Sequence, residues 1–163
     1  MSAAAVLESA TNAAGSGTPP TTPRDVVGFA RSLLGTPFHH QGRKPGVGID
    51  CAGVPIVVAR ALSLVPPDFD VADYPAVPDG SSLRAYCEAH MKRWPWEEPG
   101  GVVLVAWKDG PPQHLGIVAD HPDGGLSIIH ADSLRQKCVI ETRLEWGRYM
   151  RRVQAYRLPG VAY

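Results

Sequence analysis

The hydrophobic pattern of this 163-residue chain changes near Gly100, and this change constrains the fold more than any other feature. Before Gly100, apolar residues recur at the spacing of amphipathic helices, whereas after it short apolar runs are separated by turns. Helices are predicted between Thr22 and Gly35 and over 51–62 and 81–94, and strands over 102–107, 114–119, 126–131, 137–141 and 153–158. This order predicts an α+β fold, in which N-terminal helices pack on a central antiparallel sheet of about five strands.

The N-terminal segment, residues 1–21, consists mostly of Ala, Ser, Thr, Gly and Pro. It has too few bulky apolar side chains to offset the entropy lost on ordering, so we predict a flexible tail. The single folded domain is expected to span residues 22–163 and to begin with a helix. Thr22 suits the N-cap, Pro23 the first helical position and Asp25 the acid of a capping box.

Charge and cysteine content exclude several classes of protein. Sixteen Lys and Arg residues balance sixteen Asp and Glu residues, so the chain has no cationic field to steer it to nucleic acid or to an anionic membrane. No apolar run approaches the roughly 20 residues of a spanning helix, and the N-terminus has no pattern typical of a signal peptide. The three cysteines, Cys51, Cys87 and Cys138, form no CxxC pair. Each is therefore interpreted singly, and the last two fit core positions.

Cys51 is the first candidate for chemistry, because it lies where a glycine-rich loop turns into a helix. Pro55 has no N–H to donate to the carbonyl of Cys51, so the helix should begin close to the cysteine. Free amide groups at a helix N-terminus favour a thiolate and can also hold a developing oxyanion. Most free cysteines are instead small buried hydrophobes, so a nucleophile needs a second observation in its support.

Two histidines provide that second observation. His114 opens one predicted strand and His130 ends the next, with a turn around Pro122 between them. If the hairpin is centred on Pro122, residues 114 and 130 lie opposite each other. Both side chains then point to the same face, as a turn of three or five residues requires, whereas a four-residue turn would place them on opposite faces.

Cys51, His114 and His130 together match a nucleophilic triad. Cys51 would attack a carbonyl, His114 would take its proton and later protonate the leaving amine, and His130 would orient the ring of His114. The same three residues could alternatively ligate zinc. The chain has neither an HExxH motif nor paired cysteines, however, so neither a metal nor another cofactor is expected. His90 and His121 fit ordinary structural roles.

Three segments of the chain carry a family resemblance: the stretch 30–61 with Asp50-Cys51-Ala52-Gly53, then His114-Leu115-Gly116-Ile117-Val118, then Ile128-Ile129-His130-Ala131. In this order they resemble the nucleophile region, the catalytic histidine strand and the third-residue strand of the NlpC/P60 cysteine peptidases. The stretches 38–43 and 156–160 are most similar to the single-domain cell-wall peptidases of phages and gene transfer agents. The resemblance extends over residues 24–160.

The resemblance implies a papain-like fold and cleavage of peptidoglycan stem peptides, with the expected bond between D-glutamate and a diamino acid. It also implies substrate-binding or oxyanion roles for residues around the nucleophile, namely Phe38, His39, His40, Gln41, Asp50 and Ala52. Three positions depart from the family pattern: Phe38 replaces Tyr, Ala52 replaces Ser, and Gly101 replaces the Asp of a Pro-Gly-Asp turn. The missing tyrosine hydroxyl removes one contact near the thiol, unless His39, His40 or Gln41 supplies another.

The expected partners are the peptidoglycan stem peptide and, from the same resemblance, proteins of a phage tail or tail-like particle. The protein is then expected to be made in the cytoplasm without a signal peptide and to act on the cell wall from such a particle. Two alternatives remain open: a structural tail-tip component with weak or lost catalysis, and an amidase or acyltransferase on the same scaffold. The proline-rich segment 66–80 is expected to form a long surface loop that walls the substrate groove.

Overall fold

The computed structural model describes residues 17–146 and 148–163. Its elements are α1 (Pro23–Ser32), β1 (Arg43–Lys44), β2 (Gly48–Ile49), α2 (Gly53–Ala61), α3 (Ser82–His90), β3 (Lys92–Trp94), β4 (Val102–Trp107), β5 (Pro112–Asp120), β6 (Leu126–Ala131), β7 (Val139–Arg143) and β8 (Met150–Arg157). Strands β3 to β8 form a six-stranded antiparallel sheet in the order β3-β8-β4-β5-β6-β7, and β1 pairs with β2 in a small second sheet. The predicted α+β class is confirmed.

Helix α1 begins at the capping box that the sequence predicts. The Thr22 N–H donates to the Asp25 carboxylate (2.8 Å), and the Asp25 N–H donates to the Thr22 hydroxyl (3.3 Å). Of the predicted tail, residues 1–16 lie outside the described residues, and residues 17–21 have no regular secondary structure. The Thr21 carbonyl accepts a hydrogen bond from Ala162 N–H (2.8 Å). The described end of this segment therefore contacts the C-terminal residues of the domain.

The central strands are buried on both faces of the large sheet. Leu115, Ile117 and Ala119 of β5 belong to the main core, which also contains buried residues of all three helices. Val118 lies on the other face, in a smaller cluster with Ile128 of β6. Because side chains alternate along a strand, His114 and His130 project to the same side as Val118 and Ile128.

The predicted helix over 81–94 is wrong beyond residue 90. α3 ends at His90, Met91 is extended (φ −132°, ψ 158°), and Lys92–Trp94 forms an edge strand in which Trp94 pairs with Ala155. A three-residue strand is too short to show alternation, and its pairing with a strand some 60 residues away leaves no local signal. This strand adds a sixth member to the five that the sequence predicts.

The hairpin that carries the two histidines has a different register from the predicted one. It is centred on Asp123 rather than Pro122, since Asp120 pairs with Leu126 and Ile117 pairs with Ile129. His130 is then opposite residue 116, not residue 114. Both turn glycines have positive φ (Gly124 87°, Gly125 77°), so the turn includes both and shifts the pairing by two residues. An even shift preserves the predicted common face.

Candidate active site

Cys51 lies at the centre of the three-residue connection between β2 and α2. The His39 N–H donates to the carbonyl of Ile49 (3.2 Å), which fixes the chain just before the cysteine. The Asp50 carboxylate accepts from the Gly53 N–H (2.8 Å) and so caps the start of α2. The helix begins two residues later than predicted, with Ala52 as its N-cap. Cys51 is therefore held at the N-terminal end of α2, as the proline at position 55 indicates.

Cys51 opens into a cleft of about 350 Å³. Four parts of the chain line this cleft: Phe38, His40, Asp50 and Cys51; residues 74–79 with Ser82 and Leu83; Trp107 with residues 112–114; and residues 131–134. His114 shares the cleft with Cys51. The predicted loop over 66–80 does wall it, through residues 74–79.

The two histidines form a hydrogen-bonded chain that ends on β7. The Nε2 atom of His114 lies 2.7 Å from Nδ1 of His130, and Nε2 of His130 lies 3.0 Å from the Thr142 hydroxyl. The imidazole rings meet edge to face, with centroids 4.8 Å apart and planes at 88°. Both residues are buried, at 7% and 3% exposure. The sequence offers no signal for Thr142, the last residue of this hydrogen-bonded chain, because it reaches the site only through the pairing of β6 with β7.

This chain of hydrogen bonds has one arrangement that leaves His114 able to act as a base. If Nε2 of His114 carries the proton, it donates to Nδ1 of His130, and Nε2 of His130 then carries a proton and donates to the Thr142 hydroxyl. In this arrangement Nδ1 of His114 remains unprotonated. The contact with His130 fixes the direction of the Nε2 edge of the His114 ring.

Burial keeps the catalytic candidates neutral. Desolvation raises the pKa of the Cys51 thiol to about 12, the Asp50 carboxylate adds to this effect, and the N–H groups of Leu115, Ala52 and Cys51 oppose it. Desolvation also lowers the pKa of His114 to about 3, with a further lowering by His130, and lowers that of His130 to about 4. At neutral pH Cys51 is thus a thiol and His114 a neutral imidazole.

Asp50 accepts hydrogen bonds, through its carboxylate, from several segments that surround Cys51. Its carboxylate accepts from the Gln41 N–H (2.7 Å), from an Arg43 Nη (3.0 Å) and from the Tyr74 hydroxyl (2.6 Å) as well as from α2. It is 2% exposed. Asp50 therefore ties the nucleophile segment to β1 and to the long loop.

Arg43 uses all five of its N–H donors to join that loop to Asp50. Beyond its bond to Asp50, it donates to the Asp70 carboxylate (2.8 Å), the Val71 carbonyl (2.7 Å), the Tyr74 hydroxyl (2.7 Å) and the carbonyl of residue 42 (2.8 Å). Sequence reasoning missed both Arg43 and Tyr74. Their side chains become recognisable only when the loop folds back over β1.

The structure divides the residues predicted around the nucleophile into two groups. Phe38, His40 and Asp50 line the cleft beside Cys51, and a His40 ring nitrogen lies 3.8 Å from the Asp50 carboxylate. The side chains of the three others are directed elsewhere. His39 Nδ1 contacts the His40 carbonyl (2.9 Å), the Gln41 amide donates to the carbonyls of residues 72 and 74, and Ala52 lines an apolar cavity behind α2.

Asp132, which sequence reasoning did not single out, lies at the edge of the cleft just after β6. Its carboxylate accepts N–H groups from Leu134, Arg135 and Gln136 (2.7 to 3.2 Å) and so fixes the turn that forms one rim. Burial acts to raise the pKa of this carboxyl, but the three N–H donors outweigh it and hold the pKa below its ordinary value. The negative charge of Asp132 acts to raise the pKa of both His114 and His130.

Two further findings concern the described part of the chain. Within residues 17–146 and 148–163, no three His, Cys, Asp or Glu side chains converge to form a metal site. In the same residues, none of the helices has the length and apolar character needed to cross a membrane.

Comparisons with known proteins give matches in structure but not in sequence. No protein-family model matches the chain, and no curated protein does. The NlpC/P60 domain of the peptidoglycan hydrolase SagA superimposes with a TM-score of 0.54 and 21% identity, over 85% of this chain and all of that domain. An N-acetylmuramoyl-L-alanine amidase from Bacteroides uniformis, seen in two crystal structures, superimposes with TM-scores of 0.51 and 0.50 at 10% identity, over 83% and 84% of this chain and 98% of each match.

These similarities cover most of the described domain. The SagA domain is matched over its whole length and over 85% of this chain. At this level of identity they establish architecture. The chain has the α+β fold of an NlpC/P60 domain.

Proposed function

We propose that this protein is a cysteine-dependent peptidoglycan hydrolase that cleaves stem peptides between D-glutamate and a diamino acid. The observation that carries the proposal is the 2.7 Å contact between His114 and His130 in the cleft that Cys51 shares. A structural module has no need of a buried, tautomer-fixing histidine pair beside a cysteine at a helix start. The fold shared with a domain of a peptidoglycan hydrolase supports the choice of substrate.

The proposed mechanism assigns a role to each of these groups. A stem-peptide carbonyl enters the cleft, and Nδ1 of His114 takes the thiol proton while the Cys51 sulfur attacks the carbonyl carbon. The backbone N–H groups of Cys51 and Ala52, which act on the thiol in the resting site, are placed to stabilise the oxyanion. His114 then protonates the leaving amine. Water releases the acyl group from the sulfur, with His114 again as the base.

Tyr74 lines one side of the proposed active site. Phe38 has no hydroxyl where the resembling family has one, but the Tyr74 ring lines the same cleft and its hydroxyl is held between Asp50 and Arg43. His40 packs edge to face on this ring, with centroids 5.6 Å apart. The loop thus supplies an aromatic surface beside the thiol and excludes water from one side of it.

Defined muropeptides test the proposal directly. Mass spectrometry of products after incubation with the full chain should show release of a fragment beginning at the diamino acid and a fragment ending in D-glutamate. The main alternative is an amidase, favoured by the amidase structures that share the fold. It would instead release the intact stem peptide from the glycan. An absence of both sets of products, under conditions in which a known hydrolase cleaves the same substrates, would overturn the proposal.

Delivery by a phage tail or tail-like particle is a second part of the proposal. Its support is the sequence resemblance of residues 38–43 and 156–160 to phage and gene-transfer-agent peptidases. Particles that lack the protein should assemble but deliver DNA poorly through an intact wall, and enzymatic removal of the wall should restore delivery. If particles assemble with Cys51→Ala but not without the protein, its role is that of a structural tail component.

A further inference from the structure

Strand β4 is irregular where it approaches the cleft. Its register with β8 shifts between Leu104 and Val105, and its register with β5 shifts between Val105 and Ala106. A register shift of this kind twists a strand and changes the direction of the side chains that follow it. Here Ala106 and then Trp107, the last residue of β4, follow the shift. The double irregularity brings its indole into the cleft beside His114.

The indole stacks on the ring of His114. The two ring centroids are 5.6 Å apart, and the ring planes differ by 25°. His114 therefore has a flat aromatic surface against one face, while the edge at Nε2 is held by His130. One hydrogen bond fixes the direction of a ring edge but leaves the ring free to tilt about the axis of that bond. A flat neighbour removes this freedom, because tilting would break the stack.

We propose that Trp107 is a positioning residue for His114, whose indole fixes the tilt of the imidazole and shields it from solvent. Nδ1 of His114 then keeps a constant direction and the ring stays in the neutral Nε2–H form. The inference rests on the proposed role of His114 as the base, and it adds a residue that neither the triad nor the family resemblance includes.

Besides Trp107, several titratable groups surround the ring of His114. Cys51 and Asp50 face the cleft from the start of α2, His130 and Asp132 from the β6 side, and His40 and Asp79 from the surrounding loops. Burial is the largest influence on the pKa of His114, His130 lowers it further, and Asp132 raises it. Removing the indole would reduce the burial and leave the charged groups in place. The pKa should then rise towards the usual histidine range.

Nitrogen-15 NMR of the imidazole rings in the full chain tests the inference without any substrate. In the wild type, His114 should be the Nε2–H tautomer and should not titrate near pH 6.5. Trp107→Ala should move its titration upwards by at least about one pH unit and give a mixture of tautomers. Trp107→Phe keeps a flat ring and should resemble the wild type. The control is Trp96→Ala, which removes an exposed tryptophan outside the cleft and should change neither property.

Trp107→Leu separates shielding from positioning, because leucine covers the ring but cannot stack. It should keep His114 neutral, yet lower kcat on muropeptides by roughly 10- to 100-fold with little change in KM, since the base is no longer held in line. An unchanged tautomer, titration and kcat in Trp107→Ala and Trp107→Leu would overturn the inference. If Trp107→Ala does not fold, the comparison of the leucine and phenylalanine variants decides. A wild type that shows the expected tautomer but cleaves no muropeptide would contradict the proposed function alone.

Discussion

His114 and His130 are in hydrogen-bond contact although they are not cross-strand partners. Their ring nitrogens are 2.7 Å apart, whereas the register of the hairpin places His130 opposite residue 116. Residue 116 is glycine, so no side chain stands between the two rings on their common face. A diagonal pair on one face of a sheet can meet when both side chains are long enough and the space between them is free. A side chain at residue 116 would first meet Ile128 and Ile129 of β6.

Replacing Gly116 by alanine should destabilise the domain. A Cβ there would lie 2.4 Å from a side-chain carbon of Ile128 and 2.8 Å from the Ile129 carbonyl oxygen, so the backbone of β6 would have to move. We expect a loss of about 1–3 kcal/mol in the free energy of unfolding, measured with denaturant. Gly28→Ala is the matched control, because a Cβ there meets nothing within 4 Å. Equal stability of the two variants would show that β6 accommodates the methyl group.

Cys51→Ala should retain the fold and lose turnover. A methyl group cannot form the acyl-enzyme, so hydrolysis of muropeptides should fall by at least about 1000-fold. The control is Cys138→Ala, which removes a thiol that the cleft does not include. The rates come from chromatography of the products, and circular dichroism checks the fold. Comparable rates in the two alanine variants would remove Cys51 from the mechanism.

Thr142→Val tests the far end of the histidine chain. The valine leaves the Nε2–H of His130 without its acceptor, so the tautomer that orients His114 is no longer favoured. We expect kcat to fall by roughly 10-fold with KM little changed. Thr142→Ser keeps the hydroxyl and should recover most of the rate. A serine variant as slow as the valine variant would mean that the hydroxyl alone does not sustain the rate.

Acidification should destabilise the domain through the two buried histidines. Burial lowers the pKa of His114 to about 3 and that of His130 to about 4, from about 6.5 in the unfolded chain. At a pH between the folded and unfolded pKa values, the unfolded chain binds more protons than the folded one. The contribution of the neutral histidines to the free energy of unfolding is therefore complete above pH 6.5 and is lost as the pH falls. The melting temperature should drop between pH 7 and pH 5.

A double variant, His114→Gln with His130→Gln, should show a much weaker dependence on pH over the same interval. His121→Gln, on the hairpin turn outside the cleft, is the control and should keep the dependence of the wild type. The same lowered pKa predicts that kcat/KM has no acid limb near 6.5, since His114 is already an unprotonated base there. An acid limb in that range would show that His114 is hydrated in the free enzyme.

Arg43→Met should weaken both the long loop and the domain. Arginine at this position makes five hydrogen bonds, and without it the carboxylate of Asp50 stays buried next to the thiol with less compensation. Loss of a partner from a buried ion pair costs about 3–5 kcal/mol, and the other donors to Asp50 should place the effect near the lower end of that range. Lys44→Met, at the next and exposed position, is the matched control.

Limited proteolysis of the same two variants reports on the loop. Residues 66–80 should be cut faster in Arg43→Met than in the wild type, because the side-chain anchors of Asp70, Val71 and Tyr74 are lost. Cleavage of Lys44→Met should match the wild type. Equal rates in all three proteins would show that the remaining anchors, among them the Gln41 amide and the hydrogen bond from Tyr74 to Asp50, are enough to hold the loop.

Residue types within short segments account for the local features of the fold. Thr22, Pro23 and Asp25 set the start of α1, Pro55 kept Cys51 at the N-terminal end of α2, and Gly124 with Gly125 made the turn between β5 and β6. Each of these depends on backbone conformation and hydrogen bonding within a few residues, so the residue types suffice. The α+β class follows in the same way from the change of hydrophobic spacing at Gly100.

Packing between distant segments of the chain sets which side chains share the cleft. Thr142, Trp107, Tyr74 and Arg43 reach the site through a strand pairing, a register shift and a loop that folds back over β1. The edge strand Lys92–Trp94 likewise exists because β8 offers it a partner. Contacts between residues far apart in the chain depend on how the layers pack. No spacing within a short segment encodes that arrangement, and it completes the site around Cys51.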